Sequence, residues 1–185
     1  VPRSRRSARA RISFTVDGLI ETSTLTINSG LICNGAGNNT NYIFSIPEDI
    51  TVPVVNGVAE FNNVEIYEGS YISQNFTVDT SLFNQRYILD NSSIDTSTIK
   101  VKVSPSASSS AVVTYKQIEN IVGVTSTSSS YLLQEIEDER YELIFGDNVI
   151  GKKLSNNNSI DVTYIVTDGR DGNGASEFSF VGNIT

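Results

Sequence analysis

The sequence predicts an all-β fold, mainly antiparallel, with two small β-rich units of sandwich or meander type and little helix. Three observations support this prediction. Apolar and polar residues alternate in roughly twelve short runs that recur about every 8–12 residues, as in sandwiches and barrels. Hardly any stretch repeats its apolar residues at the helical period of about 3.6. The length of 185 residues allows one sizeable β domain or two small ones.

The first half of the chain contains most of the predicted strands. Most of them place apolar residues at every second position and end at residues that favour turns. Asn56-Gly57 lies between two apolar runs and predicts a two-residue type I′ hairpin, because both central residues of that turn take positive φ. Pro53 cannot donate to a ladder, so its strand is expected to start there or to lie at a sheet edge. The predicted strands lie at residues 10–16, 22–28, 31–33, 42–46, 52–55, 58–61, 64–68 and 76–78, with a polar loop at 34–41.

The second half has two clear strands, at residues 141–145 and 160–166, since each alternates apolar and polar side chains. Between them lie Gly146-Asp147-Asn148 and Gly151-Lys152-Lys153, residue types that favour turns. Residues 114–122 fit either a strand or a short helical turn. The other predicted strands of this half lie at residues 85–90, 99–103 and 178–181, with one more run beginning at Tyr131.

Two divisions into units fit these strands. In the first, residues 1–85, with a basic arm at residues 1–11, form one β unit and residues 86–185 form the second. In the alternative, residues 1–85 and 131–185 share one sandwich and residues 86–130 are inserted into it. Periodicity does not choose between them.

The composition disfavours catalysis and bound cofactors. There is no histidine, so His-based acid–base chemistry and the commonest zinc ligand are absent. The single cysteine, Cys33, is expected to be a small buried apolar residue. The acidic run near residues 135–142 is expected to be solvated, and the loop at 168–174 does not match the ligand spacing of an EF-hand. We therefore expect a chain that is not an enzyme, with no cofactor and no metal.

The charge is concentrated unevenly along the chain. The first eleven residues hold five of the thirteen basic residues, and the rest of the chain carries eight basic against twenty-one acidic residues. The acidic chain beyond residue 11 is a poor partner for nucleic acid, because nucleic-acid binding depends on neutralising phosphates. We expect the arm to dock on an acidic neighbouring surface. No apolar run approaches the roughly 20 residues of a membrane span. The residues of the arm that carry this charge are Arg3, Arg5, Arg6, Arg9 and Arg11.

Four stretches together resemble one protein family. They are residues 2–11 (PRSRRSARAR), 64–78 (VEIYEGSYISQNFTV), 85–103 (QRYILDNSSIDTSTIKVKV) and 131–174. The last contains YELIFGD, IGKK and YIVTDG in that order. These stretches resemble the baseplate wedge proteins of contractile-tailed bacteriophages, within the baseplate J-like group. The chain departs from the family at Asn148, where members often have glycine.

The resemblance implies a structural role. Wedge subunits pair with themselves, as dimers, and with other wedge proteins to build the virion baseplate around the tail tube, which rearranges when the host is bound. Such proteins are made in the cytoplasm of the bacterial host. Members of the family are longer, and this chain lacks methionine, so we expect an interior fragment. The resemblance supplies no catalytic residue.

We expect the turn-rich loops and the arginine arm to make subunit contacts, because these loops are polar and flank strong strands. The alternative is an adhesin-like β domain that binds a host glycan or surface, although the chain has no tryptophan to form a stacking platform. The residues predicted to make subunit contacts in the loops are Asp147, Asn148, Lys152, Lys153, Asp168 and Asp171.

Overall fold

A computed structural model describes residues 4–37, 39–169 and 173–185, and strands dominate these residues. The predicted all-β fold is confirmed. A 3-10 turn at Glu137–Glu139 separates two of the strands. None of the described helical segments is long and apolar enough to cross a membrane. The strands are β1 (Arg9–Val16), β2 (Thr24–Ile27), β3 (Gly30–Gly37), β4 (Thr40–Ile46), β5 (Ile50–Val55), β6 (Val58–Glu68), β7 (Ser70–Thr77), β8 (Tyr87–Ile88), β9 (Ile94–Ser104), β10 (Val113–Gln117), β11 (Ser130–Glu135), β12 (Tyr141–Phe145), β13 (Ser159–Val166) and β14 (Glu177–Phe180).

The chain forms two compact units. Unit A comprises Arg5–Ile72, Asp95–Ser97 and Ile165–Thr185, and unit B comprises Ser73–Ile94 and Thr98–Tyr164 together with Ser4. These units are not consecutive halves of the sequence, because β7, β9 and β13 each have residues in both. The predicted division into residues 1–85 and 86–185 stays a prediction about which segments fold independently, as does the alternative in which residues 86–130 are inserted.

Unit A contains a sheet in the order β14-β3-β4-β6-β5-β2, with β1 paired to β6. Its core is aliphatic and aromatic, and the Phe14 and Phe61 rings stack with centroids 5.0 Å apart. The alternation of half-buried and exposed residues along β1 follows from the period-2 pattern of its sequence. The fully or nearly buried residues of this core are Leu25, Ile27, Ile32, Cys33, Phe44, Ile46, Ala59, Phe61, Val64 and Ile66.

The predicted hairpin at Asn56-Gly57 is confirmed. Both residues have positive φ, 52° and 76°, and Val55 pairs with Val58 across the turn. The expectation for Pro53 is wrong, since β5 starts at Ile50 and lies between β6 and β2. Proline is tolerated there because β6 pairs with β5 only at Val54 and Val55, so no ladder bond toward β6 is needed at Pro53.

The expected polar loop at residues 34–41 is instead largely strand. β3 runs to Gly37, and β4 starts at Thr40. Glycine makes this possible, because a Cβ on Gly37 would lie 1.8 Å from the carbonyl oxygen of Gly174. A glycine inside a strand often marks such a close approach of a second backbone. Alternation did not reveal the strand, since glycine and asparagine are not typical strand residues.

Unit B is built on a sheet in the order β7-β13-β9-β10-β11-β12-β8. Residues 114–122, for which the sequence left strand and helix open, begin as β10 and continue as a loop. β10 pairs with β11 in parallel, whereas β11 pairs with β12 antiparallel. The strand at the end of this sheet order, β8, is only two residues long and pairs with Glu142 and Leu143 of β12.

The side chain of Gln74 links the two edge strands of this sheet. Its amide donates to the carbonyl of Ile88 at 3.0 Å, and its carbonyl accepts from the N–H of Asp90 at 3.2 Å. Gln74 lies in β7 and Ile88 in β8. A side-chain amide thus supplies bonds that a backbone ladder would supply in a closed barrel.

Candidate functional site

Three polar loops of unit B lie beside one another. We call residues 79–85, 118–129 and 146–154 the loop cluster. Backbone bonds join two of the loops, from the Gly151 N–H to the Thr125 carbonyl at 3.0 Å and from the Lys152 N–H to the Ser128 carbonyl at 2.8 Å. Residues 79–85 face the third loop across a groove that both loops line. The cluster is therefore a connected surface.

The loop at residues 146–154 folds back tightly on itself. A Cβ on Gly146 would lie 2.1 Å from the carbonyl carbon of Gly151, so only glycine fits there. The Asn148 N–H donates to the Gly151 carbonyl at 3.0 Å, with Asn148 at a φ of 69°. Asparagine tolerates this left-handed conformation, which explains how the turn accommodates a residue other than glycine.

Asp147 and Asn148, predicted to contact a partner, form hydrogen bonds within the loop. One carboxylate oxygen of Asp147 accepts from the N–H groups of Val149 and Ile150 at 2.8 and 2.9 Å. These two backbone donors hold the pKa of Asp147 below its ordinary value. The side-chain oxygen of Asn148 accepts from the Lys153 N–H at 2.9 Å. The side chains of both residues thus stabilise the loop from within.

The other exposed side chains of this loop are cationic and apolar. Lys152 and Lys153, predicted as contact residues, are exposed. Val149 and Ile150 lie between Asn148 and Gly151, whose backbones are bonded to each other, and are 72% and 43% exposed. Neither residue was predicted from the sequence, because apolar side chains are usually expected to face inward. Their position after Asp147-Asn148, in a turn and not in an alternating run, is the signal that could have found them.

The loop at residues 79–85 presents a fully solvated aromatic ring. Phe83 is 94% exposed and its neighbour Leu82 is 56% exposed. The loop is nevertheless well bonded, since one carboxylate oxygen of Asp79 accepts from both the N–H and the hydroxyl of Ser81 at 2.9 and 2.6 Å. These bonds lower the pKa of Asp79. The Gln85 side-chain oxygen accepts from the Asp79 N–H at 2.8 Å.

The second loop of the cluster, at residues 118–129, has the same character. Ile121 and Val122 are 58% and 83% exposed. The Val122 N–H donates to the side-chain oxygen of Asn120 at 2.9 Å, so the apolar pair sits on a defined turn. Each loop of the cluster therefore carries two neighbouring large apolar residues in water, which is unusual for a surface with no partner.

A groove of about 360 Å³ runs between the first and third loops of the cluster. It lies where β12 continues past the end of β8, because β8 pairs only with Glu142 and Leu143. The Tyr87 and Phe145 rings meet edge to face in its wall, with centroids 5.4 Å apart. The groove is lined by Val78, Asp79, Thr80, Leu82, Gln85, Tyr87, Glu142, Leu143, Ile144, Phe145, Gly146, Lys153 and Leu154.

An ion pair lies beside this groove. Arg86 donates to both carboxylate oxygens of Glu142, at 2.8 and 2.7 Å. Two parallel bonds of this kind fix geometry as well as charge. The guanidinium lowers the pKa of Glu142, and the carboxylate raises that of Arg86. Glu142 therefore stays ionised and paired.

The other predicted contact residues lie in unit A or outside the described residues. Asp168 is exposed and belongs to unit A, so the structure does not bring it into the loop cluster. Asp171 and Arg3 lie outside the described residues. Arg5 and Arg6 are exposed, and Arg9 and Arg11 both pair with Glu65.

The described residues contain no group of three or more Asp, Glu and Cys side chains placed to hold a metal ion. Cys33 is buried as predicted, and its burial raises the thiol pKa to about 11. Burial likewise raises the pKa of Tyr131 to about 12. These groups stay protonated near neutral pH, which suits packing.

Comparison with known proteins adds no relative. No protein-family model matches the chain, and no curated protein does.

Proposed function

We propose that this chain is a structural, non-enzymatic module of a phage tail baseplate wedge that docks on neighbouring wedge proteins through the loop cluster. The observation that carries the proposal is the exposure of paired apolar side chains on hydrogen-bonded loops, above all Phe83 at 94%. Burying such a side chain contributes about 1.5–3 kcal/mol, so exposed ones mark a surface that gains by being covered.

The remainder of the proposal follows from the resemblance of the sequence to wedge proteins. The most specific matching stretch, residues 131–174, contains most of β11, all of β12 and β13, and the Gly146–Gly151 turn. An all-β frame with rigid, polar loops suits a part that is assembled into a ring. In this proposal the full-length protein forms homodimers, resides in the virion baseplate and takes part in its rearrangement on host attachment.

Reconstitution with the wedge proteins encoded beside this chain tests the proposal. A double variant, Phe83→Ser with Val149→Ser, is expected to weaken binding by about 100-fold or more, since two side chains lose their burial. Val55→Ser is the matched control, because Val55 is 61% exposed on the hairpin of unit A. Unchanged assembly of the double variant, or an equal loss in the control, contradicts the proposal.

The two lysines have a separate test. Lys152→Ala with Lys153→Ala removes charge at the rim of the loop cluster, so it is expected to slow association and to reduce its salt dependence. Wedge assembly that proceeds with unchanged rate and salt dependence would remove the lysines from the contact surface.

A second candidate is an adhesin-like β domain that binds a host glycan. The groove favours it, because the Tyr87 ring lies beside polar groups and the Tyr87 hydroxyl bonds to Gln85 at 3.1 Å. Glycan-array binding by the isolated chain that disappears in Tyr87→Ala would favour this candidate. The absence of binding would leave docking on wedge proteins as the proposed function.

A further inference from the structure

The first strand of unit A presents one edge without a described partner strand. β1 forms a ladder with β6, and the described strands provide no second ladder to it. The Glu68 N–H donates to the Ala8 carbonyl at 2.8 Å, which directs the backbone groups of Ala10 and Ile12 toward β6. Backbone groups alternate in direction along a strand, so those of Arg9 and Arg11 point away from β6. Ahead of β1 the Ser7 N–H donates to an Asp95 carboxylate oxygen at 3.0 Å, and the Arg9 guanidinium donates to the Ser97 hydroxyl at 3.1 Å, so the open part of the edge lies from Arg11 onward.

The hairpin gives the same alternation at the other end of β1. In a two-residue hairpin the flanking residues, Val55 and Val58, exchange backbone bonds. Ala59 therefore points toward β1, where it pairs with Val16. Val16 therefore points toward β6. Because the backbone groups of neighbouring residues point in opposite directions, the N–H of Thr15 points away from β6, as those of Arg9 and Arg11 do.

One face of this edge has an excess of positive charge. Arg9 and Arg11 both pair with the single carboxylate of Glu65, at 2.9 and 3.4 Å. The Arg9 guanidinium also lies 4.7 Å from the centroid of the Tyr67 ring. The side chain of Arg11 remains 67% exposed. Two cations thus share one anion, on a chain whose other charged residues are mostly acidic.

The opposite face of the edge is apolar and incompletely covered. Ile12, Phe14 and Val16 pack against the core of unit A but are only half-buried. The Phe14 ring lies 5.2 Å from the ring of Phe180, which is itself 41% exposed. A strand added beside β1 would bring apolar side chains onto this face.

The strand already paired with β1 shows what chemistry suits it. β6 places Ile66 and Val64 opposite Ala10 and Ile12, and it places Glu65 opposite Arg11 and Tyr67 opposite Arg9, so one acidic and one aromatic residue face the arginines between apolar residues. This is a direct complement, since the carboxylate meets the arginine face and the aliphatic residues meet the core face.

We propose that the open edge of β1 binds an extended segment of a partner protein in which acidic and apolar residues alternate, added antiparallel as a further strand. Backbone bonds from Arg11 and Thr15 supply affinity, and carboxylates facing the two arginines supply specificity. The inference concerns unit A, and it stands whether or not the loop cluster of unit B docks on wedge proteins.

A synthetic peptide of about eight residues tests this, with glutamate at alternate positions and valine or isoleucine between them. A control peptide has the same composition with the glutamates grouped in one half. Fluorescence anisotropy is expected to show binding of the alternating peptide that is at least tenfold tighter than that of the control, and that weakens with salt. Equal binding of the two peptides, or binding of neither, overturns the proposal.

Two variants of β1 locate the site. Arg11→Gln is expected to weaken binding of the alternating peptide about five- to tenfold, and Lys116→Gln, an exposed cation in unit B, leaves it unchanged. Thr15→Pro removes an N–H from the open edge, where proline is tolerated, and is expected to weaken binding similarly. Equal effects of Arg11→Gln and Lys116→Gln overturn the proposal, as does equally tight binding of a single-stranded oligonucleotide.

Hydrogen exchange distinguishes strand addition from simple charge attraction. The peptide is expected to slow exchange at the N–H groups of Arg11 and Thr15, while those of Ala10 and Ile12 are already protected by β6. Binding that leaves the Arg11 and Thr15 amides unprotected refutes strand addition.

Discussion

Replacing Gly146 by alanine tests how the loop at residues 146–154 is held. The added Cβ would lie 2.1 Å from the carbonyl carbon of Gly151 and 2.2 Å from its oxygen, whereas ordinary contacts begin at 3.4 Å. Both sides of this contact are backbone, so no side chain can rotate away. The two segments must separate by roughly 1 Å, more than a hydrogen bond tolerates at good geometry.

The expected cost follows from the bonds that this movement breaks. The Asn148 N–H to Gly151 carbonyl bond and the Gly151 N–H to Thr125 carbonyl bond are both 3.0 Å long and both involve the displaced residue. Each contributes about 0.5–1.5 kcal/mol, and overpacking adds about 1–3 kcal/mol. Gly146→Ala is thus expected to lower the free energy of unfolding by about 2–6 kcal/mol.

Gly123→Ala is the matched control. A Cβ there would meet no atom within 4 Å, but the φ of 88° is left-handed, so its cost of about 1–2 kcal/mol is conformational. Urea unfolding followed by tyrosine fluorescence gives both values. Hydrogen exchange at Asn148 and Gly151 is expected to accelerate in Gly146→Ala alone. A loss below about 1 kcal/mol, with both amides still protected, would refute the steric reasoning.

Two further predictions concern unit B. Leu143→Ala removes a side chain that is 1% exposed and should lower the free energy of unfolding by about 2–5 kcal/mol. Leu132→Ala, at a position 42% exposed, should lower it by less than about 1 kcal/mol. Equal losses in urea unfolding would contradict this assignment of the core. Glu142→Gln should cost about 0.5–1 kcal/mol near neutral pH, because the pair with Arg86 is partly solvated. The pKa of Glu142 in the folded chain is below the ordinary 4.5, so this stabilisation is present above pH 4.5 and is lost as the pH falls through the folded-state pKa. The urea midpoints of the wild-type and Glu142→Gln proteins should therefore converge on acidification. A difference that stays constant with pH would exclude the ion pair as the source of the stability difference.

Local patterns in the sequence predicted most of the strands. Alternation located β1, β12 and β13 because the period of two residues depends only on which face is buried. The Asn56-Gly57 turn was predictable for a similar reason, since its backbone angles restrict the residue types that fit. Both signals concern neighbours along the chain.

The candidate site was predicted only in part. The sequence indicated the turn at Asp147 and Asn148 as a contact loop, and the structure shows that their side chains bond within the loop. The exposed apolar residues Phe83 and Val149 were not found, because hydropathy alone does not report whether an apolar side chain reaches a core.

What the sequence by itself determined was the class of fold, the faces of the strands and one hairpin, all of which follow from local periodicity and turn chemistry. Tertiary structure alone decided the partners of each strand, including the parallel pairing of β10 with β11 and the passage of β7, β9 and β13 through both units. It also decided which edge of β1 stays open. The physical reason is that alternation specifies which way a side chain points, but the backbone groups that pair strands are the same in every residue except proline.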